Sequence, residues 1–409
     1  MSSEFIALGA PAGIAERLAA RGIIEPFPIQ AATIPDAMKG RDVCGKAPTG
    51  SGKTIAFGIP LVARVGRAAP RRPRALVLVP TRELAAQVAA ELSELAGRGK
   101  QAPSVQAIYG GAGFGPQIAA LRRGVDIVVA CPGRLADLIA QGHCQLGDVE
   151  LVVLDEADRM ADMGFLPEVR RLLDAVRPDR QTLLFSATLD GDVDVLIRSY
   201  QKDPARHALA VDEDAPKNRH IFWKMDRAER VDVLAKVVNA EWPTIVFCRT
   251  KHGADRLTKQ LGRSGVSAAA IHGDRSQAQR ERALAAFGGG KVQALIATDV
   301  AARGIHVDDV AAVVHFDPAG SEKDYIHRSG RTGRAGAAGL VVSLVDKTMI
   351  DGATDLQRKL GFEPVLHFPD MGALSDERHS ATPLTTKPAV AAKRVAQQQP
   401  HRTRGRRGR

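Results

Sequence analysis

Leu151 to Met160 reads LVVLDEADRM, an apolar run that ends abruptly in Asp155-Glu156-Ala157-Asp158. A strand buried on both faces of a parallel sheet produces such a run. Acidic residues at its carboxyl end stand where open α/β sheets hold ligands. About a hundred residues earlier, Ala47 to Thr54 reads APTGSGKT. Gly50 and Gly52 let backbone N–H groups turn toward phosphate oxygens, with Thr49 and Ser51 between and beside them. Lys53 supplies charge to the β- and γ-phosphates, and Thr54 places a hydroxyl on or near magnesium at the start of a helix. The general phosphate loop has glycine where this chain has Ala47. Asp155 is the candidate for holding Mg2+, mainly through its water shell, and Glu156 is the candidate base for the attacking water. Two adjacent carboxylates on a buried strand end are costly without a cation. Together the two segments predict hydrolysis of a nucleoside triphosphate, with Mg2+ as cofactor.

Outward from this pair, apolar β-branched runs alternate with amphipathic stretches, which predicts parallel sheets covered by helices. The alternation occurs twice. The first set of runs is 42–46, 75–79, 126–130, 151–154 and 182–185; the second is 244–248, 267–271, 294–297, 311–315 and 339–344. The expected fold is α/β, with two tandem domains, each a parallel sheet flanked by helices, and a basic tail. The domains are expected at 1–206 and 218–370. Between them 207–217, acidic and containing Pro216, reads as a linker, and 371–409 reads as a disordered basic tail. From Arg378 to Arg409 there are nine Lys or Arg and no Asp or Glu, so of the net charge of +11 only +2 lies on the rest of the chain. Basicity confined to a tail predicts a polyanionic partner.

Four cysteines, Cys44, Cys131, Cys144 and Cys248, form no CxxC pair and have no zinc-like histidine spacing, so they read as reduced thiols. No apolar stretch reaches about 18 residues and the first thirty residues have no apolar core, so neither a membrane span nor a secretory signal is expected. The expected location is cytoplasmic.

With Asp155–Asp158 spelling DEAD, and with further motifs in order, the chain resembles the DEAD-box RNA helicases of superfamily 2, most like the small bacterial type. The likeness runs from about Phe5 to Ser343 and implies that both domains are RecA-like and that the basic tail 371–409 binds RNA. GIIEPFPIQ at Gly22–Gln30 resembles the family's adenine-recognition segment. It implies that the Gln30 amide pairs with the adenine edge and that Phe5, seventeen residues before Gly22, stacks on the base. Ile23 stands where the family usually has an aromatic, and Phe27 where it usually has Thr. PTREL at Pro80–Leu84, the pair Gly110-Gly111 and CPGR at Cys131–Arg134 resemble the family's RNA path. This implies RNA contacts from Pro80, Thr81, Arg82, Gly110, Gly111, Pro132, Gly133 and Arg134. Cys131 replaces a usual Thr.

Ser186-Ala187-Thr188 resembles the segment that links hydrolysis to strand separation, with its hydroxyls bridging to Asp158 or His327. In the second half IVFCRT, HGDRSQAQR, ATDVAARGIH and YIHRSGRTGRAG begin at Ile245, His272, Ala297 and Tyr325. The likeness implies RNA contacts from Arg249, Thr298 and Arg303, coupling through Asp299, and a γ-phosphate cation pair in Arg331 and Arg334. His306 stands where the family carries an Asp that accepts a hydrogen bond from the ATP ribose. An imidazole there is expected to make ATP affinity sensitive to pH.

The resemblance thus implies an ATP-dependent RNA helicase that melts short duplexes locally and remodels RNA–protein particles. It would act as a monomer on RNA of low sequence specificity, with ribosomal or RNA-turnover complexes as settings. A second class, an ATP-gated RNA clamp or annealing chaperone, shares the motifs and the basic tail. A DNA helicase on the same scaffold is disfavoured by the combination of DEAD with HRxGRTGR.

Overall fold

The computed structural model describes residues 4–48, 50–208, 218–302, 310–333 and 339–374. Thr49, Arg303, His306, Arg334 and the basic tail lie outside the described residues.

Among the described residues thirteen strands form two sheets. In chain order they are β1 (Val43–Lys46), β2 (Ala75–Leu78), β3 (Val105–Ile108), β4 (Ile127–Ala130), β5 (Leu151–Asp155), β6 (Gln181–Ser186) and β7 (Ala205–Ala208). The second set is β8 (Arg219–Lys224), β9 (Thr244–Phe247), β10 (Ala268–Ile271), β11 (Ala294–Ala297), β12 (Ala312–His315) and β13 (Leu340–Val345). The first sheet runs β3-β4-β2-β5-β6-β1-β7 and the second β10-β11-β9-β12-β13-β8. Every pairing is parallel. Central strands such as β2, β4, β5 and β6 are buried throughout, which explains their unbroken apolar runs. Two apolar cores cover the two faces of each sheet. The tandem RecA-like architecture is the expected one.

Three strands were not expected from the apolar runs. Strands β3 and β7 are edges, and the latter reads Ala-Arg-His-Ala, too polar to signal itself. Strand β8 closes the other edge of the second sheet. Two boundaries move accordingly. His207 and Ala208, expected to open the linker, complete β7 on the register of Gly45 and Lys46. At the far end, the turn Met371–Leu374 buries Ala373 and Leu374 in the second domain's core, so these residues belong to that domain and not to the tail. Among the described residues no helix is long and apolar enough to cross a membrane.

Candidate nucleotide and RNA site

The phosphate loop leaves the carboxyl end of β1, where Gly50 and Gly52 adopt φ of 87° and 83°. At Gly52 a side chain has no room: a Cβ would fall 2.3 Å from Gln30 Nε2 and 2.7 Å from a Phe27 ring carbon. The helix Lys53–Arg64 begins immediately afterwards. Lys53 is buried, and its ammonium donates to the carbonyls of Ala47 (2.9 Å) and Pro48 (3.2 Å). Ser51 Oγ donates to the Pro48 carbonyl, which braces the same turn. Ala47, where a glycine is usual, is buried and donates its N–H to the Ser186 carbonyl on β6.

Gln30 is the third residue of the helix Pro28–Met38, and its amide is shared between two segments. Its Oε1 accepts from the Phe27 N–H at 2.9 Å, and its Nε2 donates to the Gly52 carbonyl at 3.0 Å. The glutamine thus ties the segment Gly22–Gln30 to the loop at Gly52. One lone pair and one N–H of the amide remain for a base.

Phe5 does not serve as the expected stacking residue. It is fully buried, in one apolar cluster with Ile14, Leu18 and Ile29, so its ring offers no face to a ligand. The aromatic that lines the cleft is Phe27, which is 47% exposed and sits beside Gly52 and Lys53. The unusual aromatic at this position was the signal for it.

The same cleft, about 260 Å³, brings Lys53, Thr54, Asp155 and Glu156 together. Asp155 ends β5 and accepts the Glu156 N–H at 3.0 Å. Burial pushes its carboxyl up to about 7; the Lys53 ammonium pulls it down and the Glu156 carboxylate pushes it up. Glu156 has left-handed φ and ψ of 53° and 50°, rare for a non-glycine residue, and turns the chain sharply into the helix Ala157–Asp162. Its Oε2 meets Arg159 Nη1 at 3.0 Å, both side chains being buried. Sequence reading missed Arg159, although the i,i+3 spacing on a helix was visible. Among the described residues no group of three or more His, Cys, Asp or Glu could hold a metal. One buried carboxylate and one threonine hydroxyl suit a cation that keeps most of its waters and takes phosphate oxygens, as magnesium does.

A raised carboxyl pKa has a stability consequence. Asp155 binds its proton more tightly folded than unfolded, so its ionisation lowers stability as pH rises from about 4, the ordinary Asp value, to about 7. Above about 7 the full cost is present. With magnesium chelated, Asp155→Asn should therefore stabilise the protein at pH 8 by on the order of 1–4 kcal/mol, and much less at pH 5. Thermal unfolding at the two pH values measures it. A variant-minus-native difference that does not change with pH rules out a buried ionised Asp155.

Ser186 and Thr188 meet Asp158, as expected. Ser186 Oγ accepts the Asp158 N–H at 3.1 Å, and the Asp158 carboxylate accepts from Thr188 N–H at 3.1 Å and its hydroxyl at 3.4 Å. His327 lies across the cleft in a crevice shared by Arg159, Asp299, Arg328 and Arg331. Burial and the neighbouring Arg159 lower its pKa, so it is a neutral ring at pH 7. Arg331 is buried and donates from Nε to the His327 carbonyl at 3.3 Å. Asp299 holds Arg328 through two bonds of 2.6 and 2.7 Å, a bidentate clamp that the sequence did not single out.

The expected RNA residues of the first domain also converge. Thr81 caps the helix Arg82–Ala96 by accepting the Leu84 N–H. The Arg82 guanidinium lies so close to Gly111, φ 82°, that a Cβ there would clash with it at 2.1 Å. Arg134 follows Pro132 and Gly133 in the first turn of the helix Pro132–Ala140. It donates to the Ala112 carbonyl at 3.0 Å and stacks on Phe114 at 3.9 Å, beside Gly110. Pro80 is buried at the end of β2. In the second domain Arg249 is exposed after β9, and Thr298 is buried after β11.

Contacts between the domains run through these same segments. Glu83 of PTREL pairs with Arg280 of HGDRSQAQR at 2.9 Å, and both are buried. Asp162, just beyond DEAD, pairs with Lys323 on the helix Glu322–Ser329. Neither pair stood out in the sequence, because only docking of two domains brings them together.

A DEAD/DEAH box helicase family model matches residues 27–196, and a helicase conserved C-terminal domain model matches residues 226–336. The chain belongs to the DEAD-box helicases. Its curated relatives include DEAD-box ATP-dependent RNA helicase 30 of Arabidopsis thaliana, 45% identical over 81% of this chain and 57% of that protein. Another is ATP-dependent RNA helicase DBP2 of Candida albicans, 41% identical over 83% and 62%. The helicase therefore spans little more than half the length of some curated relatives. Among solved structures, S. cerevisiae Dbp5 bound to RNA and ADP BeF3 is similar across both domains. The TM-score is 0.75 at 29% identity, covering 90% of this chain and 95% of that one.

Proposed function

We propose that this helicase is an ATP-dependent enzyme that couples ATP binding and hydrolysis to local, non-processive unwinding of short RNA duplexes and remodelling of RNA–protein particles. The observation that carries the proposal is the buried Glu83–Arg280 pair. It joins the first domain's RNA segment to the second domain, while the DEAD segment meets the helix Glu322–Ser329, which carries His327 and is followed by Arg331. The similar Dbp5 structure was solved with RNA and ADP BeF3, which supports this docked arrangement as the one both ligands favour.

Each chain residue then has a physical task. Lys53 and the loop N–H groups take the phosphates, and Arg331, with Arg334 beside it in sequence, adds cationic charge from the second domain. Asp155 and Thr54 would hold Mg2+, which offsets charge developing on the phosphoryl oxygens when bound. Glu156 takes a proton from the attacking water, and its contact with Arg159 orients it. Asp158, Ser186 and Thr188 link that strand end to β6. Arg82, Arg134 and Arg249 grip the sugar–phosphate backbone, which implies low sequence preference. His306 would meet the ribose, and Arg303 and Thr298 the RNA. A monomer acting in the cytoplasm, with ribosomal or RNA-turnover particles as substrates, completes the proposal.

Strand displacement tests it, run on matched RNA and DNA duplexes with ATP. ATP-dependent displacement of RNA and little of DNA is expected. Annealing without displacement would instead favour the clamp or chaperone class.

The basic tail should supply affinity and not chemistry. Deleting Arg378–Arg409 removes nine positive charges. RNA binding should weaken and its salt dependence flatten, while ATP hydrolysis at saturating RNA stays near that of the full chain. Equal RNA binding by both chains at low and at moderate salt would discard a role for the tail.

A further inference from the structure

A cavity of about 510 Å³ lies in the second domain, against about 260 Å³ for the ATP cleft. Its place follows from topology. The strand order β10-β11-β9-β12-β13-β8 repeats β3-β4-β2-β5-β6-β1. The register of β2 against β5 is matched by β9 against β12. Thr81 and Thr250 each stand three residues past their strand and each caps the next helix. Glu156 and Asp317 each lie two residues beyond the last paired position of β5 with β2 and of β12 with β9. Lys53 opens the helix after β1, and Arg230 opens the helix Arg230–Ala240 after β8. The cavity thus occupies, in the second domain, the position of the ATP cleft in the first.

Its lining is cationic. Arg227, Arg230, Arg249 and Arg256 face it, against Asp317 and Asp346. The 13-residue helix Lys251–Arg263 turns its N-terminus to it. Both carboxylates are engaged by their own loops: Asp317 accepts the Arg249 N–H at 2.8 Å, and Asp346 accepts the Thr348 N–H and hydroxyl. Arg230 is 4% exposed and lies over the Phe316 ring at 4.1 Å. It reaches the carboxylates only at 3.4 and 3.5 Å, long for charge-assisted pairs. Among the described residues its Nε and Nη2 have no hydrogen-bond partner. A buried guanidinium left short of acceptors at a cavity wall needs an oxyanion.

We propose that this cavity is a second oxyanion site, which binds a single phosphate group through Arg230, Arg227 and Arg256. In place of a glycine-rich loop the chain has Met225–Glu229, with no glycine to wrap a triphosphate. The ligand is therefore a phosphate monoester or inorganic phosphate. It comes either free or as the terminal phosphate of an RNA strand.

Equilibrium dialysis of radiolabelled inorganic phosphate against the full chain tests this. Three variants are compared with the native protein: Lys53→Ala, the exposed pair Arg227→Ser/Arg256→Ser, and Arg230→Gln, with thermal unfolding as the check on folding. Lys53→Ala should retain the site, and the double variant should bind phosphate at least about tenfold more weakly, from two lost charge-assisted contacts. Arg230→Gln, if folded, should lose more. Unaltered phosphate binding in the double variant overturns the proposal. Competition then identifies the source. Displacement by AMP assigns a free monoester, and displacement by 5′-phosphorylated RNA but not by 5′-hydroxyl RNA assigns a strand end. Equal displacement by both RNAs would make the cavity part of the general backbone track and refute a separate site.

Discussion

Replacing Glu156 with Gln should slow ATP hydrolysis by roughly 10²–10⁴-fold, the usual worth of a positioned base, while ATP and RNA still bind. The carboxylate is the only feature removed. Gln keeps a carbonyl oxygen that can accept from Arg159 Nη1, now 3.0 Å from Oε2, so the turn into the helix Ala157–Asp162 should survive. Arg159 loses its paired charge, and breaking a buried pair can cost about 3–5 kcal/mol. Asp158 lies one residue away and Asp162 on the same helix, so some negative charge stays close, and the loss should fall at the lower end. A protein stalled before hydrolysis keeps its domains docked through Glu83–Arg280 and Asp162–Lys323. The variant should therefore hold RNA longer than the native protein once ATP is present. Single-turnover hydrolysis and RNA dissociation rates measure the two effects. Turnover within about threefold of native would remove Glu156 from the role of base.

What the sequence made legible follows burial. Strands β2, β4, β5 and β6 announce themselves because both faces are covered and their central positions are apolar. Strands β3 and β7 stay hidden because edge strands carry polar residues. Lys53, Asp155 and Glu156 were readable because phosphate and metal chemistry restricts residue type and spacing together. Phe5 misled because an aromatic on an N-terminal helix looks alike whether it stacks on a base or fills a core. Its complete burial decides for the core. Glu83 and Arg280 lie 197 residues apart, and no local pattern predicts a pair that forms only when two domains dock. Arg230 and its cavity were silent too, because only the repeated strand order reveals what Arg230 replaces.

Lys53→Ala should reduce RNA-stimulated ATP hydrolysis by at least about 10²–10³-fold, the scale for losing a preorganised donor to developing oxyanion charge. Three losses act together. The phosphates lose their buried ammonium, which no other lysine lining the cleft among the described residues replaces. The loop loses the hydrogen bonds from Nζ to Ala47 and Pro48 that hold its turn. Asp155 loses the cation that pulls its carboxyl down, so its value moves above about 7. Its protonated fraction at pH 7 then rises, and a protonated carboxyl cannot hold Mg2+. The third loss gives the prediction a second readout. Raising the pH should restore magnesium dependence in Lys53→Ala more than in the native protein, without restoring turnover. Magnesium titrations at pH 7 and pH 9 in the presence of ATP would show it, with RNA-stimulated hydrolysis followed alongside. Hydrolysis within about threefold of native at pH 7 would show that Lys53 is not the phosphate cation. A magnesium response that is the same at both pH values would instead show that Asp155 is not coupled to it.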